Sequence, residues 1–380
     1  MERDQATKLM QDLLRRMLEK RGSDLFITCG FPPAIKIDGE VRPQAERPLT
    51  PEQSALLTRA IMTDRQLREF DSTKECQFAI APQGIGRFRV SAFVQQGQTG
   101  CVIRTIATRI PSLDELLLPS VLKDVALLKR GLAIVVGGTG SGKSTTLAAM
   151  VDYRNSQTRG HIVTIEDPIE YVHPHRQCVV TQREVGVDTD SWHSALRNTL
   201  RQAPDVILIG EIRDRETMEY GVQFAETGHL VLATLHANSA NQALDRIINF
   251  FPDERREQLL MDLSLNIQAL ISQRLIAREG NQGRIAALEV MLHSPLIADL
   301  IFKGDVAGVK DVMARSNRLG MKTFDQALYE LYESEFISYE DALRNADSKN
   351  ELRLRVKLES KRLDRIGGEE AASLQIVDES

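Results

Sequence analysis

The chain has 380 residues, 42% of them apolar, and a formal net charge of −5 with acids and bases interleaved. That length and apolar content suit two or three domains with real cores, and the mixed, slightly acidic balance gives no basic footprint for DNA or RNA. No run of eighteen apolar residues and no charged-then-apolar leader is present, so neither membrane spanning nor secretion is expected; four widely spaced cysteines suit a reducing cytoplasm, not a disulfide framework or a zinc site.

Leu9, Leu13, Leu14, Met17 and Leu18 recur at helical spacing with Gly22 as a stop, which predicts a first helix over 5–20. Strands follow over Asp24–Thr28 and Ala34–Ile37, the second running into Asp38-Gly39, a dipeptide suited to a type I′ hairpin turn. A helical stretch over 52–70 precedes three more strands, Cys76–Ile80, Gly86–Val94 and Cys101–Ile106. Residues 1–107 therefore read as an α/β domain of their own. Arg109-Ile110-Pro111-Ser112 breaks both periodicities, and a linker is expected over 108–113.

Over 114–350 a second α/β domain is expected. Apolar strands at 132–136, 162–165, 206–209 and 230–234 alternate with helical stretches at 143–154 and 191–202, the pattern of a mostly parallel sheet covered on its faces. From 241 to 350 the chain reads as helices, including 253–278 and 322–345. Residues 351–380, with alternating charges and a Gly-Gly-Glu-Glu run, read as a disordered tail.

The strand at 132–136 leads into Gly137-Gly138-Thr139-Gly140-Ser141-Gly142-Lys143-Ser144, a complete G-x-x-x-x-G-K-S phosphate loop, with Thr145 in the helix that follows. The glycines let successive backbone N–H groups face one point, and the helix N-terminus adds its positive dipole end. Such a nest holds a triphosphate. Lys143 would supply a point charge to the β and γ phosphates, and the Ser144 hydroxyl a ligand to Mg²⁺.

Asp205-Val206-Ile207-Leu208-Ile209-Gly210-Glu211 is an apolar strand ending in an acid. A parallel sheet would deliver Glu211 to the same edge as the phosphate loop, where it can serve the metal. Another strand ends in Glu166-Asp167-Pro168-Ile169-Glu170; one of these three carboxylates is expected to serve hydrolysis, the alternative being that Glu166 and Asp167 cap the turn around Pro168. His173 and His175, on either side of Pro174, read as surface residues.

The phosphate loop, TIEDPIEY (164–171), DVILIGEIRD (205–214) and AETGHLVLATLHANSA (225–240) occur in this order and at spacings that resemble the type II/IV secretion ATPase superfamily, within it the type IV pilus retraction ATPases of the PilT/PilU family. The resemblance covers residues 5–345. It implies a PAS-like N-terminal domain joined to a RecA-like ATPase domain with a helical C-terminal part. It also implies a homo-hexameric ring with ATP and Mg²⁺ at subunit boundaries and mechanical work on a pilus as output. Carried over by motif, the catalytic glutamate of the acidic box matches Glu170, the Walker B glutamate Glu211, and the two His-box histidines His229 and His236. The latter sense phosphate state between subunits or satisfy core hydrogen bonds. Basic residues of the N-terminal domain reach a neighbour's nucleotide in this family; Arg87, Arg89, Arg104 and Arg109 fall in the matching region, and Arg104 is the first candidate.

The tetracysteine zinc module and longer N-terminal region of the assembly and secretion branches are not found, which favours retraction. The basic AIRNLIRE helix of PilT is replaced by Pro295-Leu296-Ile297-Ala298-Asp299-Leu300-Ile301-Phe302, which resembles the PilU branch. The implied partners are a sister PilT motor and an inner-membrane platform protein, so a cytoplasmic chain would meet the membrane only through them. Two readings stay open: a motor in its own right, or a nucleotide-gated accessory subunit. A DNA translocase on the same core is disfavoured by the acidic balance.

Overall fold

The computed structural model describes residues 2–37, 39–106, 109–281 and 283–362. Asp38 of the expected turn, 107–108 at the edge of the expected linker and 363–380 of the expected tail lie outside the described residues. The chain forms two compact units. The first comprises Met1–Ile110 with two later excursions, Asp167–His173 and Arg183–Ser191; the second comprises Pro111–Glu166, Pro174–Gln182 and Trp192–Ser380. Both mix helix and strand.

The first unit runs α1 (Arg3–Glu19), β1 (Asp24–Ile27), β2 (Ala34–Ile37), β3 (Glu40–Pro43), α2 (Pro51–Ala60), α3 (Asp64–Thr73), β4 (Glu75–Ile80), β5 (Arg87–Gln95) and β6 (Gln98–Ile106). Its sheet has the order β3-β2-β1-β6-β5-β4, antiparallel throughout. Alternation along β5 shows why: Phe88, Val90 and Ala92 face inward while Arg87, Arg89 and Ser91 do not. The inward side chains meet Met10, Leu14 and Met17 of α1, Leu57 of α2 and Phe70 of α3 in one core. Thr50 and Thr63 cap α2 and α3, each hydroxyl accepting from the backbone N–H three residues on while its own N–H donates to that residue's glutamine side chain.

The second unit continues with α4 (Val121–Ala126), β7 (Gly131–Val136), α5 (Lys143–Gln157), β8 (Gly160–Glu166), β9 (Cys178–Glu184), α6 (Trp192–Thr199), β10 (Val206–Ile209), α7 (Arg215–Glu226), β11 (Leu230–Leu235), α8 (Ala240–Asn249) and α9 (Arg256–Asn266). After these come β12 (Ile267–Ala277), β13 (Arg284–Leu292), α10 (Pro295–Lys303), α11 (Val306–Arg315), α12 (Phe324–Glu333), α13 (Tyr339–Asn345) and α14 (Lys349–Glu359). The sheet order is β13-β12-β7-β11-β10-β8-β9, with β12, β7, β11, β10 and β8 parallel and β13 antiparallel to β12. Every residue of β7, β10 and β11 is buried, as expected of central strands covered on both faces.

Three expectations need correction. The helix read over 253–278 ends at Asn266; Ile267–Ala277 is a strand wedged between β7 and β13. Being buried on both faces, it shows no period-two pattern, and its apolar run resembles a buried helix. The helix read over 322–345 is two, broken where Glu335 adopts a φ of +61° and Ser338 caps α13 by accepting from Asp341 N–H. The tail read from 351 begins as α14, whose Leu352 and Val356 are buried with Phe324, Leu328 and Tyr332 against the outer ends of β12 and β13. A further helix, α7, escaped the sequence reading although Asp214 caps it by accepting from Thr217 N–H at 2.9 Å.

Candidate functional site

The carboxyl edge of the second unit's sheet gathers most of the groups the motifs supply. β7 ends at Val136 and releases residues 137–142 before α5 starts at Lys143. Two glycines there are dictated by space. A Cβ on Gly137 would sit 2.4 Å from Ser141 Oγ and 2.7 Å from the Gln273 carbonyl oxygen; one on Gly142, where φ is +90°, would sit 2.7 Å from Gln273 Nε2. Lys143 is buried, and its Nζ donates to the carbonyls of Gly137 at 2.8 Å and Gly138 at 2.9 Å. Ser141 Oγ is buried without a hydrogen-bond partner among the described residues. A cradle too tight for side chains, a buried ammonium and an unanswered hydroxyl at a helix N-terminus fit a polyphosphate. The Ser144 hydroxyl and the Glu211 carboxylate are hard oxygen donors of the kind Mg²⁺ takes in small number beside its waters.

β11 separates β7 from β10, so two strand spacings, roughly 10 Å, lie between the loop and Glu211. Glu211 therefore stands apart from the loop backbone along the same sheet edge. One of its oxygens accepts from Arg213 Nε at 2.6 Å, and the other lies 3.0 Å from His236 Nε2 at the end of β11. Ile212 N–H donates to the Thr234 carbonyl at 2.8 Å, and Thr234 Oγ1 to the Gly210 carbonyl, tying the two strand ends together. Glu166, at the end of β8, accepts from Thr164 Oγ1 at 2.6 Å and Gln182 Nε2 at 3.2 Å.

His229 is elsewhere. It precedes β11, its Nδ1 lies 3.1 Å from both the Phe224 carbonyl and Thr227 Oγ1, and seven strand steps, about 23 Å, separate it from His236. The two histidines do not meet within one chain.

The other motif residues belong to the first unit. Arg104, opposite Asp24 on β1 and Arg89 on β5, donates from Nε to Asp24 Oδ1 at 2.7 Å; its side chain is 70% exposed and that of Asp24 5%. Arg89 donates to Gln77 at 2.8 Å, Arg87 Nε is buried without a partner among the described residues, and Arg109 is exposed. Glu170 is exposed, one residue after Ile169, whose N–H donates to Glu184 Oε2 at 3.3 Å. Burial pushes the Glu184 carboxyl above its usual range, against that hydrogen bond and the charges of Arg87 and Arg89. His173 is not a surface residue: it is buried, and burial pushes its imidazole down to about 4.

Sequence reasoning missed two features beside the loop. Gln273, on β12, is 3% exposed; its Nε2 donates to the Ser141 carbonyl at 2.8 Å and its Oε1 accepts from Thr146 Oγ1 at 2.7 Å. A cavity of about 350 Å³ next to the first turn of α5 is lined by Leu116, Leu118, Thr145, Leu275 and Ile285, with Glu115 and Arg278 among its charged lining. Reading β12 as helix scattered these residues; the polar Gln273-Arg274 pair interrupting an apolar run was the signal available.

The family model described as type II/IV secretion system protein matches residues 2–328. The Pseudomonas aeruginosa type IV pilus ATPase PilU is 59% identical over 350 residues, covering 92% of each chain. A type IV pilus ATPase of the same organism, PilT, described as a retractation ATPase, is 44% identical over 335 residues, covering 88% of this chain and 97% of the relative. The crystal structure of the pilus retraction motor PilT with bound ADP superposes with a TM-score of 0.84 at 39% identity, covering 90% of this chain and 98% of that one. No helix among the described residues is long and apolar enough to cross a membrane.

Proposed function

The chain belongs to the type II/IV secretion system protein family, and from that membership we propose that it is an ATP-hydrolysing motor of the type IV pilus, acting in retraction as a homo-hexamer. The single observation that carries this reading is the phosphate loop. It is a glycine cradle closed by Lys143 at the edge where Glu211 and His236 pair, in a chain 59% identical to a PilU ATPase.

The proposed chemistry follows from the groups at that edge. Backbone N–H groups of 138–144 bind the polyphosphate, and Lys143 exchanges the Gly137 and Gly138 carbonyls for phosphate oxygens. The base and ribose occupy the slot bounded by Leu116, Leu275 and Ile285. Mg²⁺, held by Ser144 and Glu211, would neutralise charge on the β and γ phosphates. Glu170 takes the proton of the attacking water as that oxygen bonds to the γ phosphorus and the bridging oxygen leaves with ADP. Arg104 stabilises the transferring group from a neighbouring subunit, and His229 serves the same boundary. Arg104 and Glu170 belong to one unit and the loop, Glu211 and His236 to the other. The proposed setting is the cytoplasmic face of the inner membrane, with a platform protein and a sister PilT motor as partners.

A second reading has its own observation. α10 replaces a basic helix of PilT with an apolar one whose Leu296 and Phe302 are more than half exposed, which favours a nucleotide-gated subunit working beside a principal motor. ATP turnover by the purified protein and by Glu170→Gln, with mass in solution recorded with and without ATP, separates the two. Turnover by a wild-type hexamer and none by a variant that still binds ATP supports the motor; equal inactivity of both, with ATP still assembling the ring, supports the accessory subunit.

A further inference from the structure

We propose that Gln273 is a positioning residue for nucleotide binding: its carboxamide ties the phosphate loop at Ser141 and the first turn of α5 at Thr146 to β12, and so holds the loop in its binding-ready shape. This rests on the nucleotide reading of the loop and goes beyond its sequence motif, which contains no group from β12.

Four observations converge on the clamp. First, β12 runs parallel to β7 with Ser272 opposite Val136, so Gln273 stands where the loop leaves its strand. Second, its carboxamide uses both functions at once, donating to the Ser141 carbonyl inside the loop at 2.8 Å and accepting from Thr146 in the first turn of α5 at 2.7 Å. A carboxamide is the side-chain group that offers a donor and an acceptor side by side in one rigid plane. Third, Gln273 and Thr146 are both buried, at 3% and 1% exposure, so neither hydrogen bond has water as a ready substitute. Fourth, the glycines at 137 and 142 abut Gln273 itself, its backbone carbonyl and its Nε2, so the tight path of the loop is shaped around this residue.

The clamp brackets the C-terminal part of the nest, the N–H groups of Gly142, Lys143 and Ser144 between Ser141 and Thr146. Without it, the Ser141 carbonyl is free to rotate and the N–H groups after it lose their common focus. Ordering them again would fall to the nucleotide, and affinity drops by the population of the ordered loop. Loss of the clamp is thus expected in binding, with the chemical step after binding largely unaltered.

The test uses the full chain and ADP as probe. Gln273→Met keeps an unbranched side chain of similar length and removes both hydrogen bonds. Thr146→Val removes one partner while keeping the shape. For Gln273→Met the Kd for ADP and the KM for ATP are expected to rise together by about tenfold, with kcat changed by less than about threefold. Thr146→Val should give a smaller rise, and the double variant should be no worse than Gln273→Met alone, because both act on one clamp. A thermal midpoint without nucleotide separates loss of fold from loss of the clamp; if Gln273→Met does not fold, Thr146→Val decides by the same ADP measurement. Unchanged ADP affinity in the folded variants, while Lys143→Ala loses it, overturns the clamp and leaves the nucleotide site standing. ADP binding untouched by Lys143→Ala overturns the nucleotide reading instead.

Discussion

Replacing Glu211 by glutamine separates its chemistry from its structural ties. In the folded chain its carboxylate accepts from Arg213 at 2.6 Å and lies 3.0 Å from His236, partners that are 54% and 38% exposed. Pairs that open to solvent are screened, so their joint contribution to stability is at most about 1 kcal/mol. The isosteric amide keeps one acceptor, and the thermal midpoint of Glu211→Gln should lie close to that of the wild type. The charge proposed to serve Mg²⁺ is gone, however, and loss of such a group at a phosphoryl-transfer site costs about 100- to 10,000-fold in turnover, or about 3–5.5 kcal/mol of barrier. Phosphate release at saturating ATP, ADP affinity and the thermal midpoint are to be measured on the same preparations. A large fall in turnover with folding preserved supports the assignment. Turnover within threefold of the wild type, with ADP binding intact, would remove Glu211 from the hydrolytic machinery.

Glu289 gives a pH prediction. It is 1% exposed and accepts from Ala240 N–H at the start of α8 at 2.7 Å; burial raises its carboxyl above the ordinary range, against that hydrogen bond. A raised acid pKa in the fold means the native state holds the proton more tightly than the unfolded chain, so the ionised carboxylate costs stability above its unfolded value near 4.5, and the cost disappears as pH falls below it. Glu289→Gln keeps the acceptor and sheds the charge; it should be neutral or stabilising at pH 8 and lose that advantage near pH 4.5, and a variant less stable than wild type at pH 8 in urea titrations contradicts the reasoning. Arg274→Met tests the C-terminal helices. Arg274 stacks 3.9 Å over Phe324, donates to the Asn345 carbonyl at 2.7 Å and pairs with Asp347 at 2.8 Å; burial raises the Asp347 carboxyl, but Lys310 and Arg274 outweigh it and hold it below the usual range. The loss should be about 1–3 kcal/mol, with faster hydrogen exchange in α12 and α13; a change in unfolding free energy under about 0.5 kcal/mol counts against the network.

The strand–loop–helix setting of the phosphate-loop motif was legible in the sequence because everything it needs is local: glycines, a lysine and a serine within eight residues, between an apolar strand and a helix. Five of the first unit's strands, all but the exposed β3, were legible for a related reason. One face is buried, so Phe88, Val90 and Ala92 alternate with polar neighbours and the period appears in the letters themselves. Tertiary structure decided the rest. β12 is buried on both faces and carries no such period, so a strand that supplies Gln273 to the loop read as helix. Thr146 and Gln273 are 127 residues apart, and only the parallel pairing of β12 with β7 makes them partners. The same holds for Glu211 and His236, joined at one edge because β10 and β11 are neighbours, and for His229, sent to the opposite edge by the length of β11. It holds too for the segment bearing Glu170, which packs with the first unit though its sequence lies among the strands of the second. Local spacing records what a residue does within its own turn or strand. Which strands lie side by side is settled by burial summed over the whole chain, and no short window of sequence contains that sum.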